Sequence, residues 1–201
     1  MKQSPEKHDS VESDHPQHQD LGRRLRLSRK SKGMSLAQVA EAAGLAISTI
    51  SRAERGLLAL TYDKLIKIAE GLDVELSVLF GKSGESFKSN SLSVARLGDV
   101  QVQETATYRY EMLFADIWHK GMTPMTGVVK AHSRAEFDQF IEYPGEEFLF
   151  VLSGQLTVHT EAHEPVLLNS GESIYLDSGM GHIYTSAGEE DCRILVVCLT
   201  R

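Results

Sequence analysis

Residues 34–56, MSLAQVAEAAGLAISTISRAERG, read as two short helices closed by a tight turn. Ser35 offers an N-cap, and apolar Leu36, Val39, Ala40 and Ala43 follow at the spacing of one helix face. Gly44 ends that helix, because glycine takes positive φ without a steric penalty and lets the chain turn sharply. A second helix is expected over Ala46 to Arg55, stopped by Gly56. In it only Ile50 and Ala53, three apart, mark a core side. The opposite face carries Ile47, Ser48, Ser51, Arg52 and Arg55, a set of short polar groups and arginines that suits a DNA groove better than bulk water.

The flanks extend this pattern. Upstream, Arg23, Arg24, Arg26, Arg29, Lys30 and Lys32 form a run without an acid, and Leu21 and Leu25 mark the inner side of a first helix. Downstream, Tyr62 to Glu70 is expected as a fourth helix with Leu65, Ile66 and Ala69 inward, and Val74 to Phe80 as a short fifth. LAQVAEAAGL, the Ser-Thr-Ile-Ser of the second helix of the pair, Glu54 before Arg55-Gly56, and LIKIAEGLDV resemble the five-helix DNA-binding domain of phage repressors and xenobiotic-response-element-type regulators.

The resemblance covers roughly residues 20–81. It implies that Ile47, Ser48, Ser51 and Arg52 face base edges, and that Arg24, Arg29, Lys30, Thr49 and Arg55 lie along phosphates. It also implies an ion pair between Arg29 and Glu54, which suits the need of a buried glutamate for a partner. Ala46 departs from the Ser or Thr cap usual in the family, a loss typically worth about 1 kcal/mol.

Length and charge set the frame for these motifs. At 201 residues, with 41% hydrophobic and 24% charged, the chain can build two small cores. The net charge of -7 is unevenly placed. Residues 20–81 hold ten Lys/Arg against seven Asp/Glu, whereas residues 82–201 hold nine against seventeen, so an acidic protein presents a basic head to phosphate within a Debye length. No apolar run is long enough to span a membrane and the N-terminus does not read as a secretory signal, so the expected location is cytoplasmic. Cys192 and Cys198 would lie about 20 Å apart on one extended strand and cannot bridge there.

Composition also divides the chain. Residues 1–19 hold two prolines and almost no apolar side chains, and are expected to be a disordered arm. Residues 20–81 form the helical head. Residues 82–91, rich in serine and without a period, read as a linker, and 92–201 as a second domain.

In that second domain the period changes to two. Segments at Tyr108 to Ile117, Thr126 to Ala131, Glu147 to Leu152, Gln155 to His159, Val166 to Leu168, Ser173 to Leu176, His182 to Ser186 and Arg193 to Leu199 read as short strands between turns, which indicates an all-β barrel of the jelly-roll kind. Glu146-Glu147-Phe-Leu-Phe-Val-Leu-Ser-Gly154, followed by Ser170-Gly171-Glu-Ser-Ile-Tyr-Leu-Asp-Ser-Gly179-Met-Gly-His182, resembles the two cupin motifs in order and separation. A cupin behind a phage-repressor-type head is a known architecture of bacterial transcription regulators.

Metal-binding cupins use two histidines and a glutamate in the first motif and one more histidine in the second. This chain retains Glu147 and His182 but has Ile141 and Tyr143 at the paired histidine positions. No cofactor is therefore expected, and a divalent metal, if bound, would rest on Glu147 and His182 alone. The expected alternative is a small-molecule pocket with Tyr143, Glu147 and His182 at its polar end and Leu149 and Val151 on its apolar wall. Glu147 would favour an amine or hydroxyl. The leading expectation is a homodimeric transcription regulator, usually a repressor, that reads a near-palindromic double-stranded operator and senses a small-molecule effector. The rivals are a cupin metalloenzyme with a regulatory head, and a cupin that serves only to dimerise.

Overall fold

The computed structural model describes residues 16–80, 85–98 and 100–199. Five helices come first: α1 (Pro16–Ser31), α2 (Leu36–Ala42), α3 (Ile47–Glu54), α4 (Tyr62–Gly71) and α5 (Leu76–Phe80). Ser35 caps α2 through a capping box, its hydroxyl accepting from Gln38 N–H at 3.2 Å while the Gln38 side chain accepts from Ser35 N–H at 2.8 Å. Gly44 and Gly56, at φ of 62° and 70°, make the turns on either side of α3. Leu21, Leu25, Val39, Ile50, Leu65, Ile68 and Leu79 are all nearly inaccessible and form the core of the head.

Helix α1 starts earlier than the sequence suggests. Residues 16–19, assigned above to a disordered arm, are the first turn of α1, and residues 1–15 of that arm lie outside the described residues. The reason is packing. His18 is buried, and a side chain at Gly56 would come within 2.8 Å of the Gln19 Cα, so this turn lies directly on the one that closes α3. Gly22 allows a second close approach, since a Cβ there would sit 2.4 Å from the Ala53 carbonyl oxygen.

The remaining strands are β1 (Glu85–Ser86), β2 (Gln101–Glu104), β3 (Tyr108–Met112), β4 (Ile117–Trp118), β5 (Thr123–Val129), β6 (Glu146–Ser153), β7 (Gln155–Thr160), β8 (Val166–Asn169), β9 (Ser173–Asp177), β10 (His182–Ser186) and β11 (Cys192–Leu199). They form a six-stranded sheet in the order β2-β3-β5-β11-β6-β9 and a three-stranded sheet in the order β10-β7-β8. An isolated bridge pairs Ile141, in the segment before β6, with His182 of β10. Glu147, Leu149 and Val151 on β6, and Cys192, Ile194, Val196 and Cys198 on β11, point inward at period two. Both cysteines are buried and free.

Three details depart from the sequence reading. The single strand expected over Tyr108 to Ile117 is broken after Met112 by a turn with Phe114 at φ 53°, and resumes as β4. Strand β2 was not anticipated. The expected linker is partly ordered structure, because Glu85 and Ser86 pair in parallel with Ile117 and Trp118, and residues 82–84 of it lie outside the described residues. The two domains also touch. Glu75 before α5 accepts from His119 N–H at 2.8 Å and faces its Nε2 at 3.0 Å, while Ser86 Oγ lies 3.0 Å from the same ring. No helix among the described residues is long and apolar enough to cross a membrane.

Candidate functional site

Helix α3 is held by its inner side and more exposed on its outer one. Ile50 and Ala53 are buried, Ile47 is 52% exposed, Ser48 and Arg55 are exposed, and Thr49, Ser51 and Arg52 are half-buried. Ala46 stands at the N-cap in extended backbone, so no side chain caps the donors of the first turn, of which Thr49 N–H reaches the Ala46 carbonyl at 2.9 Å. The far end is fixed. Arg29 of α1 gives Nε and Nη2 to the two oxygens of Glu54, at 2.5 and 2.9 Å, and Nη1 to the Met34 carbonyl at 2.8 Å.

Two arginines expected on phosphates also reach into the fold: Arg29 gives three of its donors to Glu54 and Met34, and Arg24 donates to the Phe80 carbonyl at the end of α5. Lys30 and Arg55 remain on the surface. The basic run of α1 alternates between these roles because a helix turns each residue by about 100°.

The barrel brings Tyr143, Glu147 and His182 together. Glu147 is 3% exposed. Its Oε1 accepts from the Tyr184 hydroxyl at 2.6 Å and its Oε2 from the Tyr143 hydroxyl, with Cys198 Sγ at 3.8 Å. The Nε2 of His182 stands 3.7 Å from Oε2, the distance of an ion pair without a direct hydrogen bond, and its Nδ1 donates to the Met180 carbonyl at 2.8 Å. Burial alone would raise the Glu147 carboxyl, but His182 and the two tyrosine hydroxyls hold it below the usual carboxylate range. Burial would likewise lower the imidazole, and the facing carboxylate instead raises it above the ordinary histidine value. Burial pushes the Tyr143 and Tyr184 hydroxyls up, so both stay protonated and donate.

The space beside this cluster is small. A void of about 20 Å³, enough for one water, is bounded by Thr61, Tyr62, Tyr108, Tyr110, Glu147 and His182, among others. Leu149 and Val151, assigned above to its wall, are fully buried elsewhere in the core and do not line it. Met125, Val196 and Cys198 take their place. Tyr184 was accessible to sequence reasoning, because it lies two residues beyond His182 on the same strand. Thr61 and Tyr62 carried no such signal, since they come from the head.

The cupin fold implies a metal, and the residues present do not make a metal centre. Both oxygens of Glu147 already accept hydrogen bonds, and among the described residues no three His, Cys, Asp or Glu side chains converge. His119, His132 and His159 are engaged with Glu75, Asp191 and Thr185 respectively.

Comparison with known proteins agrees with this division. Residues 25–79 match the helix-turn-helix family model and residues 139–198 match that of the cupin domain. The chain is similar to the crystal structure of a transcriptional regulator of the HTH_3 family from Vibrio cholerae, at 22% identity over 92% of this chain and 97% of that one, with a TM-score of 0.61. It also overlaps hydroxypropylphosphonic acid epoxidase from S. wedmorenis, at 21% identity over 90% of this chain and 98% of that one, with a TM-score of 0.49. No curated protein matches the sequence.

Proposed function

For a chain that carries a xenobiotic-response-element-type helix-turn-helix domain followed by a cupin domain, we propose the function of a ligand-responsive, sequence-specific DNA-binding regulator of transcription. The observation that carries it is the outer face of α3. Ile47 and Ser48 stand in solvent beside Ser51 and Arg52, on a helix whose inner side is fixed by Ile50, Ala53 and the Arg29–Glu54 pair. A methyl-bearing side chain, two hydroxyls and a guanidinium on one rigid helix can read base edges in a major groove. One such head buries little surface on DNA, so two are expected on half-sites about 34 Å apart, in a homodimer on a near-palindromic operator.

The cupin is the effector-binding part in this reading, with Tyr143, Glu147 and His182 as its polar groups. Cupin enzymes mostly need a metal, and here Ile141 and Tyr143 stand at the paired histidine positions, which argues against the enzymatic reading. The small void supports a second reading, in which the cupin only assembles the dimer. Selection of bound duplexes from a random DNA pool tests the function. An enriched, inverted-repeat sequence is the expected result, and recovery of unrelated sequences would remove the DNA-reading role.

A further inference from the structure

Tyr62 is the first residue of α4, yet its side chain belongs to the barrel. It is 7% exposed, its ring meets Tyr143 edge to face with centroids 5.2 Å apart at 79°, and it bounds the void next to Glu147. Tyr108, Tyr110 and Tyr184 supply further ring surface. A phenol is therefore already seated where a ligand would sit.

The seating is imperfect. The hydroxyl of Tyr62 is buried beside Thr123 and Cys198 without a well-formed hydrogen bond to either, and Thr61 Oγ1 and Asp63 Oδ1 on either side of it are likewise buried without one. Three consecutive residues thus bury polar atoms that water would satisfy if α4 withdrew. A free phenol, without the tether of the helix, can shift until its hydroxyl finds an acceptor. Glu147 is that acceptor: it already takes hydrogen bonds from two tyrosine hydroxyls, and each carboxylate oxygen has a second lone pair. Its charge is matched by His182, which favours a neutral donor over a second cation.

We propose that Tyr62 is an internal occupant of the barrel site, that the site takes a small hydroxyaromatic molecule, and that this ligand and docked α4 exclude each other. The coupling rests on the regulator reading above. Tyr62 begins the same helix that carries the buried Leu65 and Ile66, so expelling its ring moves the head as a body and resets the position of α3 in a dimer.

The test is calorimetric titration of full-length protein with p-cresol, the tyrosine side chain as a free molecule, and with benzylamine in parallel. Tyr62→Ala should bind p-cresol at least tenfold more tightly than wild type, Tyr62→Phe should bind it no more tightly than wild type because its ring still fills the site and no hydroxyl is left unsatisfied, and small-angle scattering should show wild type expanding on saturation. The readout lies in the barrel, so it survives any loss of helix in Tyr62→Ala. Equal affinity of wild type and Tyr62→Ala, or no saturable binding by either, overturns the proposal. Tighter binding of benzylamine than of p-cresol overturns its ligand class. Saturable p-cresol binding without any enriched DNA sequence would sink the regulator reading and leave the occupancy of the site standing, whereas enriched DNA without p-cresol binding would do the reverse.

Discussion

Arg29 and Glu54 join the first helix of the head to the last turn of α3 by two parallel hydrogen bonds, with side chains only 13% and 7% exposed. Glu54→Ala leaves the guanidinium buried and unpaired, a loss expected to cost about 3–5 kcal/mol. Replacing both residues with leucine should recover much of it. Urea denaturation of the two variants checks this, and a Glu54→Ala cost below 1 kcal/mol would show that the pair is not what ties α1 to α3.

The uncapped start of α3 gives a prediction of opposite sign. Ala46 already has the extended backbone of an N-cap, at φ -68° and ψ 143°. Ala46→Ser needs no rearrangement and should raise stability by about 1 kcal/mol. Thermal unfolding reads the gain, and a lower melting temperature would mean that neighbours already satisfy those donors.

Arg52 tests the face itself. Arg52→Ala should weaken binding to the selected operator by about 1–3 kcal/mol and binding to unrelated DNA far less. Equal losses on both duplexes would place Arg52 on phosphate rather than base edges.

The Glu147–His182 pair predicts a pH window. The imidazole, raised above 6.5 when folded, contributes stability that is fully present below that value and is lost as pH climbs through the raised one. The carboxyl, lowered beneath 4.5, contributes stability present above that value and lost as pH falls through the lowered one. The stability difference between wild type and His182→Gln should therefore be largest between pH 5 and 6 and shrink towards pH 9, by chemical denaturation at each pH. A difference that does not change with pH would mean that His182 is neutral in the folded state.

Helices α2 to α4 were legible because capping residues, glycine turns and a 3.6-residue period all mark the same boundaries. The barrel was legible through alternation, which says that Leu149 and Val151 face inward but not how deep along the barrel they lie. That is why both were misplaced onto the wall of the void. Arg24 and Arg29 show the corresponding limit in the head, since a basic run does not reveal which members find an internal carbonyl or carboxylate. Tyr62 was least legible of all. Its partner Tyr143 lies 81 positions on in the sequence, and a contact between domains has no period.

Strand β11 sits at the centre of the six-stranded sheet, between β5 and β6, yet it comes after both in the chain. As the chain is synthesised, the head can collapse on contacts between near neighbours, while β5 and β6 wait with bare edges until residues 192–199 emerge. Until then Glu147 on β6, whose register partner on β11 is Cys198, has no neighbour on that side. During synthesis a finished head is thus tethered to an unclosed sheet, and the interval before β11 inserts is when the chain is most open to edge-to-edge association.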